Sequence, residues 1–188
     1  PGMNDSVKSP LSGRTALITG AAQRTGRGLA LALAEAGADI CIHYHRSGAE
    51  AESLQAKIEA IGRRTWLLQA DLAQPGAAEA LIEQVKTDIG QLNILINNVG
   101  NYPLMSPLEH SPELLRQTLE TNLLAPFALI RSALPLLRVT DSAHVISIGY
   151  AGVEYALGHP RAMAYQISKT ALLQLTRSLA LELGPMGI

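Results

Sequence analysis

Thr19-Gly20-Ala21-Ala22-Gln23-Arg24-Thr25-Gly26-Arg27-Gly28 is the stretch on which the reading of this chain turns. Before it lies Arg14–Thr19 (RTALIT), a short apolar run that reads as a buried strand. After it, Gly26–Ala36 (GRGLALALAEA) reads as an Ala/Leu-rich helix stopped by Gly37. A strand that ends in a glycine turn and opens a helix suits a dinucleotide pyrophosphate. That ligand needs a tight turn, a backbone free of Cβ bulk and unpaired N–H groups at a helix N-terminus. Gly20, Gly26 and Gly28 are the candidates for the turn and the close approach. Glycine spacing alone also fits a left-handed turn with no ligand; its place between first strand and first helix favours phosphate.

Outward from this loop the same alternation repeats. Strands are expected at 39–43 (DICIH), 65–69, 94–97 and 144–148, and helices at 49–61, 77–89, 112–120, 123–138 and 164–183. Pro126 fits a first turn, whereas Pro135 should bend or shorten the end of its helix. Short strands separated by helices imply βαβ units, hence a parallel sheet with helices on both faces. The fold class is therefore α/β, a three-layer Rossmann-type doubly wound sheet. Residues 1–12 read as a flexible arm and 13–188 as the dinucleotide-binding and catalytic domain. Pro1 and Gly2 before Met3 suggest a tag scar.

Composition narrows the partners. Hydrophobic residues make up 47% and aromatics 4%, so the core must be built from Ala, Leu, Ile and Val. A formal net charge of −1 without a basic block argues against nucleic acid or an anionic membrane surface. No run reaches the ~18–20 apolar residues of a membrane span. The single cysteine, Cys41, sits in an apolar run and reads as a buried, inert thiol, which fits a cytoplasmic, reducing compartment.

After the second strand comes His43-Tyr44-His45-Arg46-Ser47, with no carboxylate between Asp39 and Glu50. A ribose 2′-hydroxyl calls for an acid here, whereas a 2′-phosphate calls for cations and donors. His45, Arg46 and Ser47 therefore point to NADP(H). His43 and His45 otherwise read as incidental members of a strand end; no neighbouring Cys, Asp or Glu completes a metal site.

The glycine loop resembles the Thr-Gly-x-x-x-Gly-x-Gly signature of the short-chain dehydrogenase/reductase family. Thr19, Gly20 and Gly26 match, and Arg24 stands where the middle glycine is expected. An arginine there, with His45-Arg46-Ser47, is similar to the pteridine-reductase-like branch. The resemblance extends through Asp71-Leu72 to Asn98-Val99-Gly100. It implies that Gly20, Arg24, Thr25, Gly26, His45, Arg46, Ser47, Asp71, Leu72, Asn98, Val99 and Gly100 bind the dinucleotide, joined by Tyr165 and Lys169.

Tyr165 and Lys169, four apart, share one helix face. Carbonyl reduction requires a proton for the developing alkoxide, and a phenol serves better when an ammonium lowers its pKa from about 10. The pair matches the family's catalytic Tyr and Lys, and Asn122 matches the Asn that supports the lysine through a water. Asn122 is equally a cap or kink residue. The family's substrate-binding Ser aligns with Tyr150, while Ser147 lies within the strand. Either Tyr150 supplies the missing hydroxyl or the site has lost that donor.

These resemblances imply an NADP(H)-dependent oxidoreductase acting on a 3-oxoacyl group, a ketone or a pterin. A catalytically weakened dinucleotide-binding regulator is the alternative. The apolar helices 123–137 and 164–183 imply a homodimer or homotetramer. The family would continue past Ile188, so its C-terminal strands are expected to be missing here.

Overall fold

A computed structural model describes residues 9–155 and 157–188. The strands are β1 (Thr15–Ile18), β2 (Asp39–Tyr44), β3 (Thr65–Gln69), β4 (Ile94–Asn97) and β5 (His144–Ser147). The helices are α1 (Arg24–Glu35), α2 (Gly48–Ala60), α3 (Ala77–Asp88), α4 (Pro112–Leu119), α5 (Ala125–Leu137) and α6 (Met163–Leu183). All strand pairings are parallel, in the order β3-β2-β1-β4-β5. The order reverses between β1 and β4, and at such a switch point the loops leaving two strands splay apart to open a crevice.

Alternation along the strands builds the two faces. Leu17, Cys41, Leu68 and Leu95 point towards α3 and α5, whereas Ala16, Ile18, Ile40, Ile42 and Ile96 point towards α1 and α2. Burying each such Leu or Ile stabilises the fold by about 1.5–3 kcal/mol. Ala30 and Ala34 face the sheet from α1, and their small side chains let the helix lie close to it. The buried apolar core among the described residues holds no aromatic ring. Cys41 is fully buried, and desolvation pushes its thiol well above the ordinary range.

Three local expectations change. Residues 1–8 of the proposed arm lie outside the described residues. Residues 9–12 are not free: Leu11 N–H donates to the Ala36 carbonyl at 2.9 Å, anchoring them to the end of α1. The helices expected at 112–120 and 123–138 form one helical run, joined by a π-helical turn over Glu120–Leu124. Pro135 sits inside α5 on an exposed face, so the carbonyl it leaves unbonded faces solvent, and the helix runs on to Leu137.

Candidate active site

The loop after β1 is shaped by backbone constraints. Gly20 has φ +63, in the left-handed region that glycine enters without strain. A Cβ on Gly26 would stand 2.2 Å from the Gly20 carbonyl oxygen and 2.7 Å from Asn98 Nδ2, so no side chain fits there. Gly28 is different. A Cβ there meets nothing within 4 Å, so the close approach expected of Gly28 belongs to Gly26 alone. Arg24 has φ +49, the one positive φ at a non-glycine among the described residues. That conformation costs roughly 1–2 kcal/mol for an L side chain and explains why this position suits glycine.

Two buried polar side chains tie this loop to the rest of the crevice. The Thr19 hydroxyl donates to the Ile96 carbonyl at 3.3 Å and accepts from the Asn98 and Val99 N–H groups at 2.9 and 3.1 Å. Asn98 Nδ2 donates to the Thr19 and Gly20 carbonyls at 2.9 and 3.3 Å, so its amide braces the loop. The second side chain is His43, whose exposure is 2%. Its Nδ1 accepts from Gly20 N–H at 3.0 Å, which leaves Nε2 as the protonated nitrogen, donating to the Ala70 carbonyl at 3.1 Å. Burial drives its pKa down to about 4, so the ring is neutral at pH 7. His43 is therefore no incidental strand-end residue. It is a strut between the loops after β1 and β3.

Two adjoining cavities follow these loops. One, of about 550 Å³, is lined by Gly20, Arg24, Thr25, Gly26, Asn98, Gly100, Tyr165 and Lys169, among others. The second, of about 460 Å³, has His43, Arg46, Asp71 and Leu72 in its wall and shares Gly20, His45, Ser47 and Val99 with the first. The cofactor-binding residues named from sequence thus line one continuous crevice. His45 Nδ1 lies 3.8 Å from Asp71 Oδ1. The Gln74 amide bonded to Asp71 is the main influence holding that carboxyl below its ordinary range. The glycine cradle and the cations Arg24 and Arg46 fit a phosphate-bearing dinucleotide.

The catalytic candidates meet at the other end. Lys169 is buried, and its Nζ donates to the Ile148 carbonyl at 2.7 Å while lying 5.9 Å from the Tyr165 ring centroid. Desolvation lowers the ammonium to about 8. The Tyr165 phenol, by contrast, is pushed up, first by burial and then by Tyr102 and Tyr150. In this arrangement the Lys169 ammonium is engaged with Ile148, and burial dominates the phenol.

Asn122 is fully buried in the π turn. Its Oδ1 accepts from Asn101 N–H at 2.7 Å, and its Nδ2 donates to the Asn101 carbonyl and the Ser168 hydroxyl, each at 2.9 Å. A π turn inserts one extra residue and turns side chains inward that an α-helix would send elsewhere. Ser168 in turn donates to the Tyr165 carbonyl at 2.7 Å, so Asn122 reaches the start of α6 through it. The Tyr150 ring lies 5.9 Å from that of Tyr165, and its buried hydroxyl has no partner among the described residues. The Ser147 hydroxyl is likewise buried and unpartnered.

Sequence reasoning passed over Thr19 as more than a motif residue, His43 as a strut, and Tyr102. The Tyr102 ring stands edge-on to Tyr165, with centroids 4.5 Å apart. The available signal for His43 was its place at the end of an otherwise apolar strand.

Comparisons with known proteins agree with this geometry. The sequence model of the family described as short chain dehydrogenase matches residues 14–188. A 3-oxoacyl-[acyl-carrier-protein] reductase of Staphylococcus aureus is 33% identical over 178 residues, covering 93% of this chain and 70% of the relative. A short chain dehydrogenase from Burkholderia cenocepacia, solved in complex with NADP, superposes with a TM-score of 0.89 at 34% identity, over 95% of this chain and 71% of that one. The angucycline C-6 ketoreductase LanV, with bound NADP, gives a TM-score of 0.86 at 31% identity, over 94% and 69% respectively.

Proposed function

This chain belongs to the short-chain dehydrogenase family, and we propose that it is an NADP(H)-dependent oxidoreductase that reduces a carbonyl group on a small molecule, with Tyr165 as proton donor. The observation that carries this reading is the single crevice, with a glycine cradle at one end and the Tyr165–Lys169 pair at the other. The relatives solved with NADP support the choice of cofactor. So do Arg46, Ser47 and His45, which offer a charged fork and two further donors to a 2′-phosphate.

Held by Gly20, Arg24, Gly26 and Arg46, a reduced dinucleotide would supply the hydride, and with it two electrons, for the carbonyl carbon. Tyr165 delivers the proton to the carbonyl oxygen, so that the C=O π bond is replaced by one C–H and one O–H bond. The phenolate left behind takes its proton back from solvent, stabilised meanwhile by the Lys169 ammonium. Tyr150 donates its unpartnered hydroxyl to the substrate oxygen. Asn122 is a positioning residue, holding Asn101 on one side and Ser168 on the other. Assembly as a homodimer or homotetramer would cover Leu124, Phe127 and Ile167, which are 47%, 39% and 46% exposed.

The test is a titration with NADPH and NADH, followed by NADPH oxidation over a panel of ketones, 3-oxoacyl thioesters and pterins. NADPH should bind at least tenfold more tightly than NADH, and Arg46→Ala should remove most of that margin. Tyr165→Phe should lower kcat about 10³-fold with NADPH affinity intact. Full turnover by Tyr165→Phe overturns the catalytic assignment. A silent panel with NADPH tightly bound favours the regulator.

A further inference from the structure

The aromatic residues of this chain are unevenly placed. It has seven, five Tyr with one Phe and one Trp; none is fully buried, and only Trp66 and Tyr44 pack against the margins of the core. Three of the five tyrosines instead gather at the Tyr165 end of the crevice. Tyr102 lies on the loop after β4, Tyr150 on the segment after β5, and Tyr165 on the first turn of α6. The two loops are joined there: Met105 N–H donates to the Arg161 carbonyl at 2.9 Å.

The rings are arranged around the proton donor. Tyr102 is edge-on to Tyr165 at 4.5 Å and Tyr150 tilted towards it at 5.9 Å. Tyr102, which lines the crevice with Tyr165, nonetheless remains 53% exposed. The half-exposed Tyr102 ring, with the Tyr150 ring and its unpartnered hydroxyl on the other side of Tyr165, gives the proton donor aromatic flanks. Such a site matches a flat π-system bearing one carbonyl. Ring faces and edges pack against it in offset or edge-on geometry, while the oxygen takes the hydroxyl. A flexible acyl chain gains nothing from ring geometry and loses more rotamer freedom on binding.

Resting on the carbonyl-reductase reading above, we propose that the substrate carbonyl is carried on a planar, fused-ring aromatic ketone that packs against Tyr102 and Tyr150. The reaction is the one already balanced, with hydride to the carbonyl carbon and the Tyr165 proton to its oxygen.

The experiment compares 1-tetralone with 1-decalone, which has the same fused carbon skeleton without the aromatic ring, and with a 3-oxoacyl thioester, using the full chain and NADPH. The expected result is a kcat/KM for tetralone at least tenfold above both others. Tyr102→Leu should collapse the tetralone-to-decalone ratio to within about threefold, and Tyr102→Phe, which keeps the ring, should preserve it. Equal rates for the two ketones, or preference for the thioester, overturn the proposal while leaving the reductase reading intact. Tyr102→Leu that weakens NADPH binding and slows both ketones alike also overturns it, because the ring then serves the dinucleotide. No turnover of any compound overturns both readings.

Discussion

The two ends of the crevice differ in how far their polar groups are satisfied. At the glycine-loop end, Thr19, His43 and Asn98 are all hydrogen-bonded to backbone, and together these bonds tie the C-terminal ends of β1, β2, β3 and β4 to one another. At the Tyr165 end, the Tyr150 hydroxyl is buried without a partner among the described residues. Buried polar groups without partners cost about 1–3 kcal/mol each. The contrast teaches that the dinucleotide end is built before its ligand arrives, whereas the chemical end keeps hydrogen-bonding capacity in reserve.

The sharpest way to break the contrast is at the built end. Gly26→Ala places a methyl against the Gly20 carbonyl, and backbone cannot swing aside as a flexible side chain would. NADPH affinity should fall at least 100-fold, and the melting temperature should fall as well, as overpacking costs about 1–3 kcal/mol. Isothermal titration and a thermal melt check both; Gly28→Ala, with open space around its Cβ, is the control and should bind as the parent does.

A smaller effect is expected at His43. His43→Leu deprives Gly20 N–H and the Ala70 carbonyl of their partner, and NADPH binding should weaken about tenfold. His43→Gln, with an amide that can still accept and donate, should recover most of it. The wild type should also show a pH signature. Below pH 6.5 the unfolded chain takes up a proton that the folded chain, with His43 lowered to about 4, refuses. Stability should therefore decline as pH drops from 6.5 towards 4, by up to roughly 1.4 kcal/mol per unit. Urea denaturation across that range should show this slope in the wild type and a shallower one in His43→Gln.

The smallest effect tests the reserved end. Tyr150→Phe removes a hydroxyl that has no protein partner, so melting temperature and NADPH affinity should hardly move. If that hydroxyl awaits the substrate oxygen, kcat/KM should drop about 5- to 20-fold. Unchanged turnover would remove Tyr150 from the substrate contact.

Much of this molecule can be read from the chain itself, because short-range chemistry dictates it. Strand and helix periods, glycine stops and the loop order from Gly20 to Gly100 depend on neighbours a few residues away. The shared face of Tyr165 and Lys169 follows from helical spacing alone. What only the tertiary structure decided involves residues far apart in the chain. His43 meets Gly20 across 23 positions and Ala70 across 27, and Asn122 meets Ser168 across 46. The π turn that buries Asn122, the gathering of tyrosines about Tyr165 and the upward shift of its phenol all depend on the strand order β3-β2-β1-β4-β5. That order is set by packing both faces of the sheet at once. No local pattern encodes which loops it brings together, so the cofactor cradle was visible in the sequence and the struts and the tyrosine cluster were not.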